Sequence, residues 1–102
     1  MYLRISWGAL KPGTWSEYES THRRVVPPVG SVKGLRGRIV ARDVDRGDTG
    51  YSISFWDSLQ EMHEYENGML REAMSELKPY FSGEFSTHRC ELRDDSGIAF
   101  DD

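Results

Sequence analysis

One stretch, Gly50 to His63, limits what this chain can fold into more than any other. Its first half alternates in side-chain character, which is typical of a strand with two different faces. From Ser58 onward the spacing is helical, and Ser58 followed by Glu61 is the capping-box pattern of a helix start. The stretch therefore predicts a strand, a tight turn and a helix in succession, with the large side chain of Trp56 at the junction.

The chain before this stretch begins with a predicted strand and a predicted helix. Met1 to Trp7 alternates as a strand does, and Lys11-Pro12-Gly13 forms a turn. A helix is predicted from about Trp15 to Arg24, because its apolar residues recur at helical spacing. Thr14 and Glu17 form a second capping-box pattern at its start.

A loop and a second strand follow. The loop from Val26 to Lys33 contains Pro27 and Pro28, which disfavour helix. It is long for a compact domain, and it is either a lid over a pocket or a passive connection. The second strand is predicted from Leu35 to Val44, with a hairpin turn from Asp43 to Gly50. Alternation places Leu35, Gly37, Ile39 and Ala41 on one face of that strand and Arg36, Arg38, Val40 and Arg42 on the other.

The last part of the chain predicts a broken helix and a long strand. Asn67-Gly68 interrupts the helix, because glycine inside a helix costs about 1 kcal/mol relative to alanine. Two helical pieces are therefore expected, at about 58–66 and 68–78, and Pro79 closes the second. A final strand is predicted from Phe81 to Arg93.

The order of these elements, β-α-β-β-α-β, predicts an α+β fold of the ferredoxin-like kind. Such a fold is a four-stranded antiparallel sheet with its helices on one face. The other face is bare, yet the strands carry apolar or aromatic residues on both faces, such as Tyr2 and Trp56 opposite Ile5 and Phe55. We therefore expect the bare face to pack against the sheet of a second copy of the chain, in a homodimer.

Composition excludes several classes of function. A chain of 102 residues is one domain, predicted at residues 1–93 and followed by an acidic tail at 94–102. The net charge of −4 arises from four acids of that tail, so no basic field for nucleic acid remains. Those four acids are Asp94, Asp95, Asp101 and Asp102.

Cys90 is the lone cysteine, and no internal disulfide is possible. The chain carries neither a membrane-length apolar run nor a signal-peptide pattern, so we predict no membrane partner and a cytoplasmic location. In the tail, Ile98 and Phe100 either dock on a partner or belong to a disordered end.

Three short motifs resemble a known family. They are Lys11-Pro12-Gly13 before the first helix, Gly34-Leu35-Arg36-Gly37 at the second strand, and Phe55-Trp56-Asp57-Ser58 before the split helix. Together they are similar to the antibiotic biosynthesis monooxygenase (ABM) domains of the dimeric α+β barrel superfamily, over about residues 1 to 93. The resemblance implies two sheets packed face to face, a last strand that reaches over the partner, and a pocket between sheet and helices.

The resemblance implies two classes of function that the sequence leaves open. The first is an enzyme that acts on an aromatic or enolisable metabolite, either a cofactor-independent monooxygenase or an isomerase. In the monooxygenase, the carbanion of the substrate reacts with oxygen directly. The second is a non-catalytic dimeric ligand-binding or accessory module. The haem-degrading branch of the superfamily needs an asparagine on strand one and a histidine late in helix two. By the resemblance those places fall near Ser6 and Met74 in this sequence, so we expect neither haem nor another cofactor.

Few residues point to chemistry by themselves. The three histidines share no metal-ligand spacing, and no phosphate loop or dinucleotide fingerprint is present, so no metal site is predicted. Trp56 either stacks on a planar aromatic or carbonyl ligand or fills the core between sheet and helix. His63 is either a general base or an exposed surface residue.

The remaining candidates are polar and aromatic residues of the strands and helices. Arg4 is a candidate catalytic residue that binds a carboxylate or enolate, and Arg36 and Arg38 are open to the same role. The alternative is that these arginines pair with acids such as Glu84. Candidates for lining the pocket, each open to a plain packing role, are Ser6, Tyr18, His22, Tyr65 and Met74. Alternation cannot decide which sheet face holds Ser6 and Trp56, because a bulge would invert it.

Overall fold

The computed structural model describes residues 1–98, which form four strands and three helices. The strands are β1 (Tyr2–Leu10), β2 (Leu35–Arg42), β3 (Thr49–Trp56) and β4 (Phe81–Glu91), and the helices are α1 (Trp15–Val25), α2 (Leu59–Asn67) and α3 (Met69–Leu77). Short 3-10 helices cover Val29–Ser31 and Lys78–Tyr80. The break at Gly68 divides the second helix into α2 and α3 as predicted. None of the helices within residues 1–98 is long and apolar enough to span a membrane.

The strands form one antiparallel sheet in the order β2-β3-β1-β4. β1 is central, and it pairs with β3 on one side and β4 on the other. Across the middle of the sheet Ile39, Ile53, Ile5 and His88 lie side by side. This strand order and the position of the helices confirm the predicted ferredoxin-like α+β fold.

A bulge at the start of β2 corrects one prediction. Leu35 lies opposite Trp56 and Gly37 lies opposite Phe55, so Arg36 is an extra residue in the ladder. An extra residue inverts the alternation that follows it. Leu35 therefore shares a face with Arg38. Simple alternation had predicted that it shares a face with Gly37, and that prediction is wrong.

The two predicted capping boxes behave differently. The Ser58 hydroxyl accepts a hydrogen bond from the Glu61 amide at 3.2 Å, which confirms a cap at the start of α2. The Glu61 carboxylate binds that same hydroxyl at 2.9 Å. The prediction at Thr14 is wrong, because its hydroxyl donates to the Lys11 carbonyl at 2.7 Å and caps no helix amide.

The helix-covered face of the sheet carries two separate apolar clusters. One cluster surrounds Leu10 and Leu77, and the other surrounds Trp56 and Met62. The other buried members are Tyr18, Val26 and Ala73 in the first cluster and Leu35 and Tyr65 in the second. Between the clusters the sheet presents small polar side chains such as Ser6 and Ser52. The core is therefore split, and a gap remains between its two halves.

The loop between α1 and β2 is packed on the second cluster. Val29 and Val32 contact that cluster, and the Ser31 hydroxyl donates to the Pro28 carbonyl at 2.7 Å. The segment is therefore an ordered part of the domain, and its action as a lid stays a prediction.

The opposite face of the sheet has no covering element within residues 1–98. It presents a continuous group of apolar and aromatic side chains that are half-buried or exposed. This bare face consists of Leu3, Ile5, Trp7, Ile39, Tyr51, Ile53 and Phe55. In the tail Ile98 is exposed, while Phe100 lies outside the described residues.

Candidate functional site

A cleft of about 400 Å³ lies between the helices and the sheet, where the two apolar clusters leave their gap. Its floor is formed by small side chains of the central strands, including Ser6, Ser52 and Ser54. A neighbouring hollow beside Trp15 has only about 30 Å³, room for a water molecule or two. A surface hollow beside Arg24 and Glu76 has a similar volume, about 420 Å³, but no aromatic side chain of residues 1–98 lines it. The cleft between helices and sheet is therefore the candidate ligand site, since it has the size of a ligand pocket, roughly 300–1,000 Å³, together with aromatic and polar walls.

A charged network from β1, α2 and β4 lines the cleft. The Arg4 Nε donates to Glu66 Oε2 at 2.6 Å, and Arg89 Nη2 donates to the same oxygen at 2.7 Å. Arg4 Nη1 also donates to the Ser6 hydroxyl at 3.0 Å, and that hydroxyl lies 3.0 Å from the Thr87 hydroxyl. The network fixes the position of Arg4 and of the polar side chains beside it.

The charge of Glu66 is maintained by its partners. Burial raises the pKa of its carboxyl, but hydrogen bonds from Arg89 and Arg4 outweigh burial and hold that pKa below the ordinary value of 4.5. Glu66 and Arg4 are largely buried, with side chains 10% and 13% exposed. Glu66 therefore stays ionised at neutral pH and balances one of the two arginines.

His22 lines the cleft from α1, beside Tyr18, with ring centroids 5.7 Å apart. Burial lowers the pKa of His22 to about 4, helped by the charges of Arg38 and Arg23. The imidazole is therefore neutral at pH 7 and can accept a proton or a hydrogen bond.

Tyr18 offers a hydrogen-bond donor at the same place. Burial raises the pKa of its phenol, and the opposing charge of Arg38 is a smaller effect. Its hydroxyl makes no side-chain hydrogen bond to another group of residues 1–98. A protonated phenol is thus available to a ligand in the cleft.

Arg38 enters the cleft from β2. Its Nη1 donates to the Pro27 carbonyl at 3.0 Å. No carboxylate of the described chain lies within 4.0 Å of its guanidinium nitrogens. Burial raises the pKa of the neighbouring Tyr65, and the charge of Arg38 opposes that rise.

The structure brings most of the sequence-predicted site residues together. The cleft is lined by Arg4, Ser6, Tyr18, His22, Trp56, Tyr65 and Met74. His63 is placed elsewhere, because its side chain is 54% exposed and its Nδ1 lies 3.1 Å from Glu66 Oε1, behind the cleft. The action of these residues on a ligand stays a prediction.

Trp56 forms part of the wall without any exposed surface. Its indole Nε1 donates to the Ser54 hydroxyl at 2.8 Å, and its ring lies 5.1 Å from that of Tyr65. Of the two roles open to Trp56 in the sequence, this geometry favours the core.

The residues that escaped the sequence analysis include two members of the charged network, Glu66 and Arg89, and the floor residues Ser52 and Ser54. The register places Arg89 directly opposite Arg4, where like charges repel unless a carboxylate lies between them. If the register had been known, it would have predicted a carboxylate between the two arginines, the place that Glu66 occupies. Among residues 1–98 no group of His, Cys, Asp and Glu is arranged to hold a metal ion.

Comparison with known proteins gives a structural likeness only. No protein-family model matches the chain, and a comparison with curated proteins found no match. A mutant form of SnoaB, a cofactor-independent oxygenase from Streptomyces nogalater, superposes with a TM-score of 0.80 at 11% identity, over 95% of this chain and 97% of that one. Rv0793 from Mycobacterium tuberculosis gives a TM-score of 0.78 at 11% identity, over 93% and 97%. An antibiotic biosynthesis monooxygenase gives 0.77 at 9% identity, over 92% and 100%.

These values show that the chain has the fold of the ABM proteins over nearly its whole length, as the three sequence motifs indicated. At such identities a shared fold does not carry an activity with it.

Proposed function

We propose that this protein is a small cofactor-independent monooxygenase that acts on an aromatic metabolite with an acidic C–H group. The supporting observation is the convergence of aromatic walls and polar side chains in one cleft of about 400 Å³. SnoaB, which shares the fold, is described as a cofactor-independent oxygenase. An isomerase would need the same proton abstraction without the oxygen step.

The proposed reaction begins with proton abstraction by His22. The neutral imidazole takes the proton from the substrate carbon, and the Tyr18 hydroxyl donates a hydrogen bond to the enolate oxygen that forms. A base with a pKa of about 4 is weak, so the substrate must be strongly enolisable. His22 replaces His63 in this role, because His63 does not line the cleft.

Dioxygen is the oxidant in this proposal. The carbanion transfers its electrons to dioxygen, a C–O bond forms, and the resulting peroxide takes the proton back from His22. Loss of water from the hydroperoxide leaves a carbonyl. Overall a CH₂ group and O₂ become C=O and H₂O, which balances without a metal or an organic cofactor.

A non-catalytic binding module is the second candidate function. It is favoured by the network at Glu66, in which Arg4 and Arg89 already have a carboxylate partner. Because Glu66 already accepts hydrogen bonds from both guanidinium groups, fewer of their donors are free for an enolate.

Oxygen uptake separates the two candidates. The protein would be mixed with enolisable tricyclic aromatic ketones in air-saturated buffer, with an oxygen electrode and mass spectrometry after ¹⁸O₂ labelling. The oxygenase predicts uptake that chelators do not inhibit, and one labelled oxygen atom in the product. His22→Gln should abolish turnover. His88→Gln should not, because it changes an exposed histidine that lies opposite Ile5 in the ladder and does not line the cleft. Ligand binding without oxygen uptake would establish the module instead.

We also propose a homodimer in which two bare faces pack together. The supporting observation is that apolar side chains of β1, β2 and β3 are left without cover on that face. Burying such a face removes apolar surface from water at about 25 cal/mol per Å².

A further inference from the structure

Among residues 1–98, the cleft contains one partly buried cation that has no carboxylate within 4.0 Å. Arg38 is half-buried, and a guanidinium has five N–H donors, of which Nη1 donates to the Pro27 carbonyl. Around it the cleft offers Tyr18, Tyr65 and the neutral His22, and none of these is an anion at pH 7. Burying a charge is costly unless an opposite charge accompanies it.

The other arginines of the cleft differ from Arg38 in this respect. Arg4 and Arg89 share Glu66 at 2.6 and 2.7 Å, and Glu66 balances one of the two charges. Arg89 is 43% exposed, so water screens the second charge. Arg71 is exposed at the rim, where water screens its charge. Arg38 is therefore the arginine of the cleft whose position is best explained by an anion that does not belong to residues 1–98.

The backbone supports this position. The bulge at Arg36 turns Arg38 toward the helix-covered face, since Arg38 lies opposite Ser54 in the ladder. The Pro27 carbonyl then holds one side of the guanidinium in place. Planar donors held in this way suit the two oxygens of a carboxylate.

We propose that Arg38 is the anion-binding residue of the cleft, and that the ligand carries a carboxylate on its aromatic skeleton. The inference rests on the proposed function only for the ligand's place in the cleft. It adds a substrate class, aromatic acids. It also assigns carboxylate binding to Arg38, whereas His22 and Tyr18 act at the reacting end of the substrate.

A matched pair of ligands tests the proposal. Calorimetric titration would compare a naphthalene carboxylate with its carboxamide, which has the same shape and no charge. The wild-type protein should prefer the carboxylate. Arg38→Gln should weaken carboxylate binding roughly 10- to 100-fold and leave carboxamide binding unchanged. Arg38→Lys should restore part of the loss.

Arg71→Gln is the control, since it removes the same charge from the rim of the cleft. It should change carboxylate affinity by no more than about fivefold. NMR titration of His22 gives a readout that needs no variant. The carboxylate should raise the pKa of His22, because it offsets the charge of Arg38 that lowers it, and the carboxamide should not.

Each result decides one of two questions. A wild-type protein that does not prefer the carboxylate, or an Arg38→Gln protein that keeps the preference, overturns the anion site. Oxygen uptake with neutral substrates alone would then leave the proposed reaction standing. A preference that depends on Arg38, found without any oxygen uptake, would keep the anion site and remove the oxygenase.

Discussion

Replacement of Trp56 by alanine should unfold the protein more readily than it weakens ligand binding. The indole has no exposed surface, and it belongs to the same buried cluster as Leu35, Met62 and Tyr65. Its Nε1 also supplies the hydrogen bond to the Ser54 hydroxyl at 2.8 Å. The substitution therefore opens a cavity and removes a buried donor in one step.

The magnitude follows from that environment. Loss of a large aromatic side chain from a closed core costs about 3–5 kcal/mol. A domain of this length has about 5–15 kcal/mol of stability in total. At about 4–8 °C per kcal/mol, the melting temperature should fall by roughly 12–40 °C. Thermal melts followed by circular dichroism, at one protein concentration, would measure the shift.

Trp56→Phe is the matched control. It keeps a ring in the core and loses the hydrogen bond to Ser54, at a cost of about 1–2 kcal/mol. The reasoning is refuted if Trp56→Ala melts within about 5 °C of the wild type. If that folded variant also failed to bind aromatic ligands, Trp56 would be a ligand contact and not a core residue.

Three further predictions concern charge, assembly and haem. Glu66→Gln should cost roughly 2 kcal/mol at pH 7. The folded-state pKa of Glu66 lies below 4.5, so its contribution to the free energy of unfolding is present above pH 4.5. That contribution is lost as the pH falls through the folded-state pKa, and the unfolding free energies of the two proteins, measured with denaturant, should therefore converge in acid. Sedimentation equilibrium at micromolar protein should give twice the 11.7 kDa chain mass, and Ile53→Glu, in the middle of the bare face, should give the monomer; a dimeric variant would exclude this interface. Titration with haemin should give no sharp Soret band at one equivalent, because the family resemblance aligns Ser6 and Met74 near the asparagine and histidine that haem degradation needs. A band followed by ring cleavage would contradict the prediction.

The elements of the fold were predictable because they depend on local patterns. Alternation predicted strands, helical spacing predicted α1, and Asn67-Gly68 predicted the division between α2 and α3. Ser58 capped its helix as expected, since both groups of that cap lie within one turn. The Thr14 cap failed because the nearby Lys11 carbonyl was an alternative partner for the hydroxyl.

The site depended on distances along the chain that no local pattern carries. Arg4 and Glu66 are 62 positions apart, and only the sheet register and the packing of α2 bring them together. The bulge at Arg36 decided which face Arg38 occupies, because one extra residue reverses a strand's alternation. The sequence by itself thus determined the order of strands and helices, through interactions between near neighbours. The tertiary structure alone decided which charges meet in the cleft and which cation has no carboxylate partner among residues 1–98, because pairing across the sheet depends on the whole fold.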